Sequence, residues 1–328
     1  MSGFLARRIS SAVVSFAGIT LAVFLLIHLA PGDPVRVWAG LRPGAPVPES
    51  LILELRHEHG LDRPLAAQYG EWLIRLIQFD LGTSIRHRRP VTDVVMEKLP
   101  ATLALSGLSF LLALGLAVPA GIWAAGRIGS AGDRALGMLA FVLYSVPVFW
   151  LALLLIDAFS IQLRVFPLLG MSSAGSDALT LPGRVLDRLW HLALPSIVLA
   201  YGQFALFSRL VRGAVAQAMG EEYVLAARAR GVGRTRALWH HAFRNAVLPL
   251  LSLLSIVVPM LLSGSVIVEQ IFQWDGIGRL FFSAIQTRDY PLVLGLTVLT
   301  AAATLLASTL ADLAVALVDP RIRFGRSQ

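Results

Sequence analysis

The stretch Ile9–Ala30 reads ISSAVVSFAGITLAVFLLIHLA, with serines, one threonine and His28 as its only polar side chains. As a helix rising about 1.5 Å per residue it reaches about 33 Å, enough to cross a hydrocarbon core. Arg7 and Arg8 ahead of it could open a cleaved signal peptide. The apolar run exceeds the usual h-region of about 7–15 residues, however, and no small-x-small cleavage motif follows, so a retained span is expected. Four more such blocks follow, Ala101–Ala125, Ala135–Ser160, Ala246–Val268 and Leu292–Ala311, with Asp157 as their one charged residue. A weaker block, Leu192–Ser208, carries Pro195, Tyr201, Gly202 and Gln203, which a lipid-facing helix rarely tolerates together, and it is expected in the interior. The blocks together predict an all-α integral membrane fold with six transmembrane helices.

Composition agrees. Of the 328 residues 56% are hydrophobic and 15% charged, where soluble domains carry about 25% charged residues. The apolar residues form unbroken runs instead of recurring at helix or strand periods, so they face lipid. The net charge of +8 is arginine-borne, with Lys98 the single lysine. There is no cysteine, which excludes disulfides, thiolate metal sites and cysteine nucleophiles.

Basic residues in short loops resist translocation and set orientation. A cytoplasmic N-terminus puts fourteen arginines inside: Arg7, Arg8, Arg127, Arg134, seven from Arg209 to Arg244, and Arg321, Arg323 and Arg326. Five remain in the short outer loops, Arg164, Arg184, Arg188, Arg279 and Arg288. Both termini are then cytoplasmic, and the positive face meets anionic lipid instead of nucleic acid. The outer segment 31–100 carries nine basic and nine acidic residues. It opens with a Gly- and Pro-rich loop to Pro48, and short amphipathic helices follow, one grouping Leu51, Leu55 and His59, the other, Gln68–Phe79, grouping Trp72, Leu76 and Phe79. The expected divisions are 1–30 for the N-terminus and first span, 31–100 outside, 101–318 for the remaining five spans, and 319–328 as a cytoplasmic tail.

One sizeable cytoplasmic loop, 209–245, interrupts that core. Glu221 and Glu222 suit a helix start, Tyr223–Arg230 makes two helical turns, and Gly231 and Gly233 break them before a second helix from Arg234 to Arg244. Ala226, Ala227 and Ala229 permit close approach of a partner, while Arg228, Arg230, Arg234 and Arg236 can pair with its carboxylates. The alternative is an ordinary basic loop obeying the positive-inside rule.

The stretch Glu222-Tyr-Val-Leu-Ala-Ala-Arg-Ala-Arg-Gly231, followed by His241-Ala-Phe-Arg-Asn-Ala-Val-Leu-Pro249, resembles the EAA loop of membrane subunits in binding-protein-dependent ABC importers. More narrowly, it is similar to the first permease of dipeptide, oligopeptide and nickel systems. The resemblance extends to Leu29-Ala-Pro-Gly-Asp-Pro34, Asp80-Leu-Gly-Thr-Ser84, Leu99-Pro-Ala-Thr-Leu103, Val146-Pro-Val-Phe-Trp150, Glu269-Gln-Ile-Phe272, Gly276-Ile-Gly278, Arg288-Asp-Tyr-Pro291 and Asp319-Pro-Arg-Ile-Arg323. Two positions depart. Leu225 stands where the general pattern has an acid, which fits the peptide and nickel subgroup, and Asp275 stands where related chains often have proline.

The resemblance implies a type I ABC importer-like permease with a small helical extracytoplasmic segment between helices one and two, in the bacterial cytoplasmic membrane. It implies a coupling helix over roughly Val224–His240, with Glu222, Tyr223, Ala226, Ala227, Arg228, Arg230, Gly231, Arg234 and Arg236 meeting a cytoplasmic ATPase. The implied partners are a second homologous permease, two ATPases that hold ATP and Mg, and an extracytoplasmic substrate-binding protein. Short peptides are the expected cargo, with nickel or another small solute as the alternative. A P-loop needs Gly-x-x-x-x-Gly-Lys-Ser/Thr, whereas Lys98 sits in Glu-Lys-Leu-Pro, so no ATPase chemistry is expected of this chain.

Other chemistry is weaker. Asp157 and Asp312 fall near opposite ends of their spans, too far apart for an aspartyl dyad, and serve better as polar helix contacts. Ser263-Gly-Ser265 lacks a mid-span histidine base. His57 and His59, two apart on a helix, do not face each other, so no metal site is expected. Candidate pathway residues are Tyr201 and Gln203 in the fourth span and Ser252, Ser255, Ser263 and Ser265 in the fifth, the most polar spans. A stand-alone channel or secondary transporter is the rival class.

Overall fold

In the computed structural model the described residues are 2–29, 62–244 and 264–318, with isolated positions at 48, 50, 53–54, 57, 246, 257 and 260–261. They form helices and turns, apart from one isolated bridge between Thr83 and Pro90. Four helices are long and apolar enough to cross a membrane, and a pair bent by 95° makes a fifth if counted as one span. The expected span Ala246–Val268 lies mostly outside the described residues.

The helices are α1 (Ser2–Leu29), α2 (Leu65–Ile77), α3 (Val91–Ala125), α4 (Ala131–Ser145), α5 (Val148–Leu155, continued by a π turn Ile156–Gln162) and α6 (Leu181–Met219). After them come α7 (Glu222–Ala229), α8 (Arg234–Arg236, continued by a π turn Ala237–Ala242), α9 (Val266–Ile271), α10 (Ile277–Gln286) and α11 (Tyr290–Val318). Several boundaries differ from those expected. α3 starts at Val91 and runs through Pro100, ten residues ahead of the expected span. At about 1.5 Å per residue its 35 residues measure about 52 Å, well beyond a hydrocarbon core of about 30 Å.

The expected third span is broken. Val146 is extended (φ −79°, ψ 125°), as a residue before proline prefers, and Pro147 has no N–H to continue the helix. The fourth span is longer than expected and continuous through the buried Pro195. Half of its most apolar window is buried within the chain, against 11% for α1. Near the fifth span's end, Gly264 takes φ +69° and the helix restarts at Val266 behind Ser265, so no single helix reaches Val268. Phe79 leaves α2, with φ 60°, and is 85% exposed, so it does not share the face of Trp72 and Leu76.

The chain divides into two compact units. The first comprises 1–100 with 280–306. In it α2 packs on α1: the Tyr69 and Thr20 hydroxyls are 3.0 Å apart, and Phe24 meets the rings of Tyr69 and Trp72 at 5.3 and 6.0 Å. Asp289, 1% exposed, accepts from the Ser84 hydroxyl (2.5 Å), the Ile85 and Arg86 N–H groups (3.2 and 3.1 Å) and the Leu292 N–H (3.3 Å). One carboxylate thus caps α11 and closes the 84–90 turn. Asp289→Ala removes a cap and leaves the Ser84 group unpaired, an expected loss of about 2–4 kcal/mol. The exposed arginines Arg86 and Arg88 of that turn are trypsin sites. Cleavage there is expected to accelerate by about tenfold or more in the variant; an unchanged rate would show that the carboxylate does not hold the turn.

The second unit comprises 101–279 with 307–328. Gly121 brings α3 against α6, since a Cβ there would stand 2.8 Å from the Ser208 carbonyl oxygen and the Val211 Cβ. Leu105, Ala152, Val198, Val268, Phe272 and Trp274 form one apolar cluster. Ile122, Val211, Val215, Val224, Ala237 and Leu238 form another beneath the 209–245 loop.

Candidate functional site

α6 does not end at Ser208: it runs eleven residues further to Met219, so Arg209 and Arg212 belong to a helix and not to a loop. Arg212 grips the buried Asp133 with two nitrogens, Nε to Oδ1 and Nη2 to Oδ2 at 2.8 Å. Asp133 also accepts from the Gly129 N–H at 3.0 Å, and its own N–H donates to the N-cap Ser130 at 3.2 Å. A two-point arginine–carboxylate pair fixes orientation as well as distance. The turn between α3 and α4 is thereby locked to α6 at the base of the loop. Sequence reasoning missed this pair, although Ser130-x-x-Asp133 has the capping-box pattern.

α7 follows Gly220, with Glu221 extended at its start (φ −72°, ψ 147°) and the Glu221 N–H donating to the Ala218 carbonyl at 3.2 Å. Its Val224 (0% exposed) is buried in the cluster beneath the loop and Ala227 (2%) is buried as well, while Glu222, Tyr223, Ala226, Arg228 and Arg230 are exposed. Ala227 therefore packs against its own chain and is not available to a partner, a correction to its expected role. The helix ends in a Schellman motif: the Gly231 N–H donates to the Arg228 carbonyl at 2.9 Å and the Val232 N–H to the Ala227 carbonyl at 3.2 Å. Gly231 supplies the left-handed residue, φ +91°. α8 then begins anew, with Arg236 exposed and Arg234 donating to the Gly126 carbonyl at 2.5 Å. The rough coupling region Val224–His240 is thus two helical pieces with the break at Gly231 and Gly233 where the sequence places it.

Of the pathway candidates, Ser252, Ser255 and Ser263 lie outside the described residues. Tyr201 donates its hydroxyl to the Val146 carbonyl at 2.6 Å, satisfying a group that the Pro147 break leaves free. Gln203 and Ser265 share a cavity of about 130 Å³ with Ser106, Phe207 and Val257. The Gln203 side-chain oxygen is buried there without a hydrogen-bond partner among the described residues. The space is below the roughly 300–1,000 Å³ of ligand pockets, so in this conformation it has room for a few waters but not for a solute of that size.

A further cluster had drawn no role from the sequence. Glu269 is completely buried, and its carboxylate accepts from the Thr102 hydroxyl and the Arg279 N–H, both at 3.0 Å. Thr102 in turn accepts from the Ile277 N–H at 2.7 Å, and the Trp274 indole donates to the Ala101 carbonyl at 2.8 Å. Asp275 is exposed, its N–H on Met171 Sδ at 3.3 Å. Asp157 is exposed and bonded to Gln162 at 2.6 Å, and the side chain of Asp312 lies outside the described residues. His57 bonds Asp62 at 2.9 Å, which holds that carboxyl below the usual range, while His59 lies outside the described residues.

The sequence matches the family described as binding-protein-dependent transport system inner membrane component over residues 117–324, and the N-terminal profile of the same membrane components over residues 1–106. The chain belongs to this family. The permease is 35% identical over 325 residues to the oligopeptide transport system permease protein AppB of Bacillus subtilis, covering 99% of this chain and 100% of that one. It is 35% identical over 339 residues to the dipeptide transport system permease protein DppB of Escherichia coli, covering 98% and 99%. The di/tripeptide transport system permease protein DppB of Pseudomonas aeruginosa is 38% identical over 342 residues, covering 99% and 100%. A solved structure of the inward-facing MetNI methionine ABC transporter superposes with TM-score 0.51 at 15% identity, covering 70% of this chain and 97% of that one. That likeness identifies the fold, an all-α type I ABC importer permease.

The Schellman turn of the permease can be tested directly. Gly231→Ala is expected to cost about 1–2 kcal/mol, the penalty for a Cβ in the left-handed region. Gly231→Pro adds the loss of the N–H that meets Arg228. Hydrogen exchange of the Val224–Val232 amides should rise in that order, and equal protection in all three proteins would show that the turn is not set by Gly231.

Proposed function

We propose that the permease is one of two pore-forming subunits of an ATP-driven peptide importer, and that its 209–245 loop receives the force. The observation that carries this reading is the loop's division of labour: Val224 and Ala227 anchor α7 in the core, and Tyr223, Ala226, Arg228 and Arg230 are left outward on a braced surface. A rigid body is what a mechanical coupling needs, because a soft loop would absorb the displacement. Arg236 and Glu222 extend the same exposed surface. The partners on this reading are two ATPases, which bind ATP and Mg, a second homologous permease and an extracytoplasmic binding protein that delivers the solute. The permease itself binds no cofactor. Short peptides are favoured as cargo by the names of the three relatives.

On the solute's path we place Tyr201, Gln203 and Ser265, with Ser252, Ser255 and Ser263 of the fifth span. A peptide presents backbone N–H groups, which the unpartnered Gln203 oxygen can accept once the cavity opens. Uptake of labelled dipeptide by the reconstituted importer, abolished when the ATPase is inactivated, is the expected result. Nickel uptake with no peptide uptake would reverse the substrate assignment, and solute movement without ATP would replace the importer with a channel or secondary transporter.

Both termini and the loop are assigned to the cytoplasm. Because the chain has no cysteine, single introduced cysteines report cleanly. Arg230→Cys is expected to resist a membrane-impermeant maleimide in intact cells and His87→Cys to react; the opposite pattern would invert the topology.

A further inference from the structure

Where α3 ends, the second unit carries a cavity of about 700 Å³ whose wall includes Ile122, Trp123, Arg127, Arg234, Leu238 and Trp239. It is larger than the Gln203 cavity and differs from it in charge. The Arg127 guanidinium lies 4.7 Å above the Trp123 ring. Arg234 donates one N–H to the Gly126 carbonyl, which leaves most of its five donors available. Among the described residues neither arginine forms an ion pair, and the neighbouring acid, Asp133, is already held by Arg212. Two uncompensated guanidinium groups against an apolar wall call for an anion.

The wall says which anion. Trp123 and Trp239 are 46% and 42% exposed, and tryptophans concentrate at the level of lipid headgroups, where one edge is apolar and the other wet. The chain makes room for these walls: a Cβ at Gly132 would collide with the Trp123 ring, and one at Gly126 would stand 2.7 Å from Leu238 Cδ1. A soluble phosphate would meet the two cations and leave the two indoles and Pro119 against water. A phospholipid meets both. We propose that this cavity binds an anionic phospholipid of the inner leaflet, its phosphate between Arg127 and Arg234 and an acyl chain along the exposed Pro119 and Trp123. The assignment rests on the orientation given above, since it places the cavity in the leaflet rich in anionic lipid.

The test uses the importer complex as purified, stripped of lipid in detergent and titrated with phosphatidylglycerol, phosphatidylcholine or glycerol phosphate, with adducts counted by native mass spectrometry. One phosphatidylglycerol per permease is expected to bind before any other lipid. At about 1 kcal/mol per basic side chain, Arg127→Gln should weaken it about fivefold and the double variant with Arg234→Gln about thirtyfold, while Arg127→Lys retains it. Among the described residues the Arg127 side chain donates to no backbone carbonyl, so its single variant decides the matter if the double variant fails to assemble. Phosphatidylcholine binding equally well, glycerol phosphate competing as strongly as the lipid, or unchanged affinity in the variants would each overturn the site. The readout is a mass and not a transport rate, so a complex that takes up no peptide yet holds the lipid would sink the substrate assignment alone.

Discussion

Glu269→Ala is expected to be the most damaging single truncation in the second unit, costing about 4 kcal/mol or more, with loss of a monodisperse folded permease in detergent. The carboxylate is the shared acceptor for the Thr102 hydroxyl and the Arg279 N–H, and all of it lies out of contact with solvent. Removing it orphans donors at about 1–3 kcal/mol each and leaves a void as well. The glycines around it show how closely the site is fitted: a Cβ at Gly264 would stand 2.5 Å from Oε1, and one at Gly276 would stand 2.6 Å from Oε2. Gly276→Ala should therefore approach the severity of Glu269→Ala without touching a charge. Glu269→Gln, which keeps one acceptor oxygen for Thr102 but turns an NH2 toward the Arg279 N–H, should fall between the wild type and Ala. Thermal unfolding followed by size-exclusion fluorescence ranks the three. A Glu269→Ala permease as stable as the wild type would remove the cluster from the list of structural determinants.

The membrane fold was legible because lipid selects by composition over long windows, and a run such as Ala101–Ala125 has few alternatives. What the sequence hid were events that hinge on one backbone angle or one distant partner. Pro147 and Pro195 look alike in the chain, yet the first breaks a helix and the second is carried through a 39-residue one. The difference lies in surroundings: Val146 turns extended and its carbonyl finds the Tyr201 hydroxyl, 55 positions away in sequence. Tyr201 was visible as a polar residue in a span and its partner was not. Glu269 was visible as part of a motif, but nothing local announces that Thr102, 167 positions earlier, donates to it. The loop was legible in part. Its glycine break at Gly231 is a local signal, a left-handed residue that ends a helix, and it appears where expected. The burial of Ala227 is not local, because three alanines in eight residues give no hint of which one faces the core.

That last distinction decides how the loop should be probed. Ala227→Arg would force a guanidinium into a site that is 2% exposed, and the permease would lose its own packing before any partner entered the question. Arg228→Glu with Arg230→Glu instead reverses two exposed charges, and Ala226→Arg adds bulk to the exposed side of the same helix, while both leave Val224, Ala227 and the Gly231 turn in place. If these arginines meet carboxylates of the ATPase, each reversal turns an attraction into a repulsion at a desolvated contact, where losing one member of a pair costs about 2–5 kcal/mol. A single reversal should accordingly weaken ATPase association by about thirtyfold or more and the double reversal by up to about a thousandfold, taking ATP-dependent uptake with it. Membrane insertion and thermal stability of the permease should stay at wild-type values, since no buried contact is altered. Co-purification of the ATPase with the variant measures the first quantity and unfolding in detergent the second. Full association in both the double reversal and Ala226→Arg would move the force-receiving contact away from α7, and the exposed stretch around Arg236 would be the next surface of this loop to carry it.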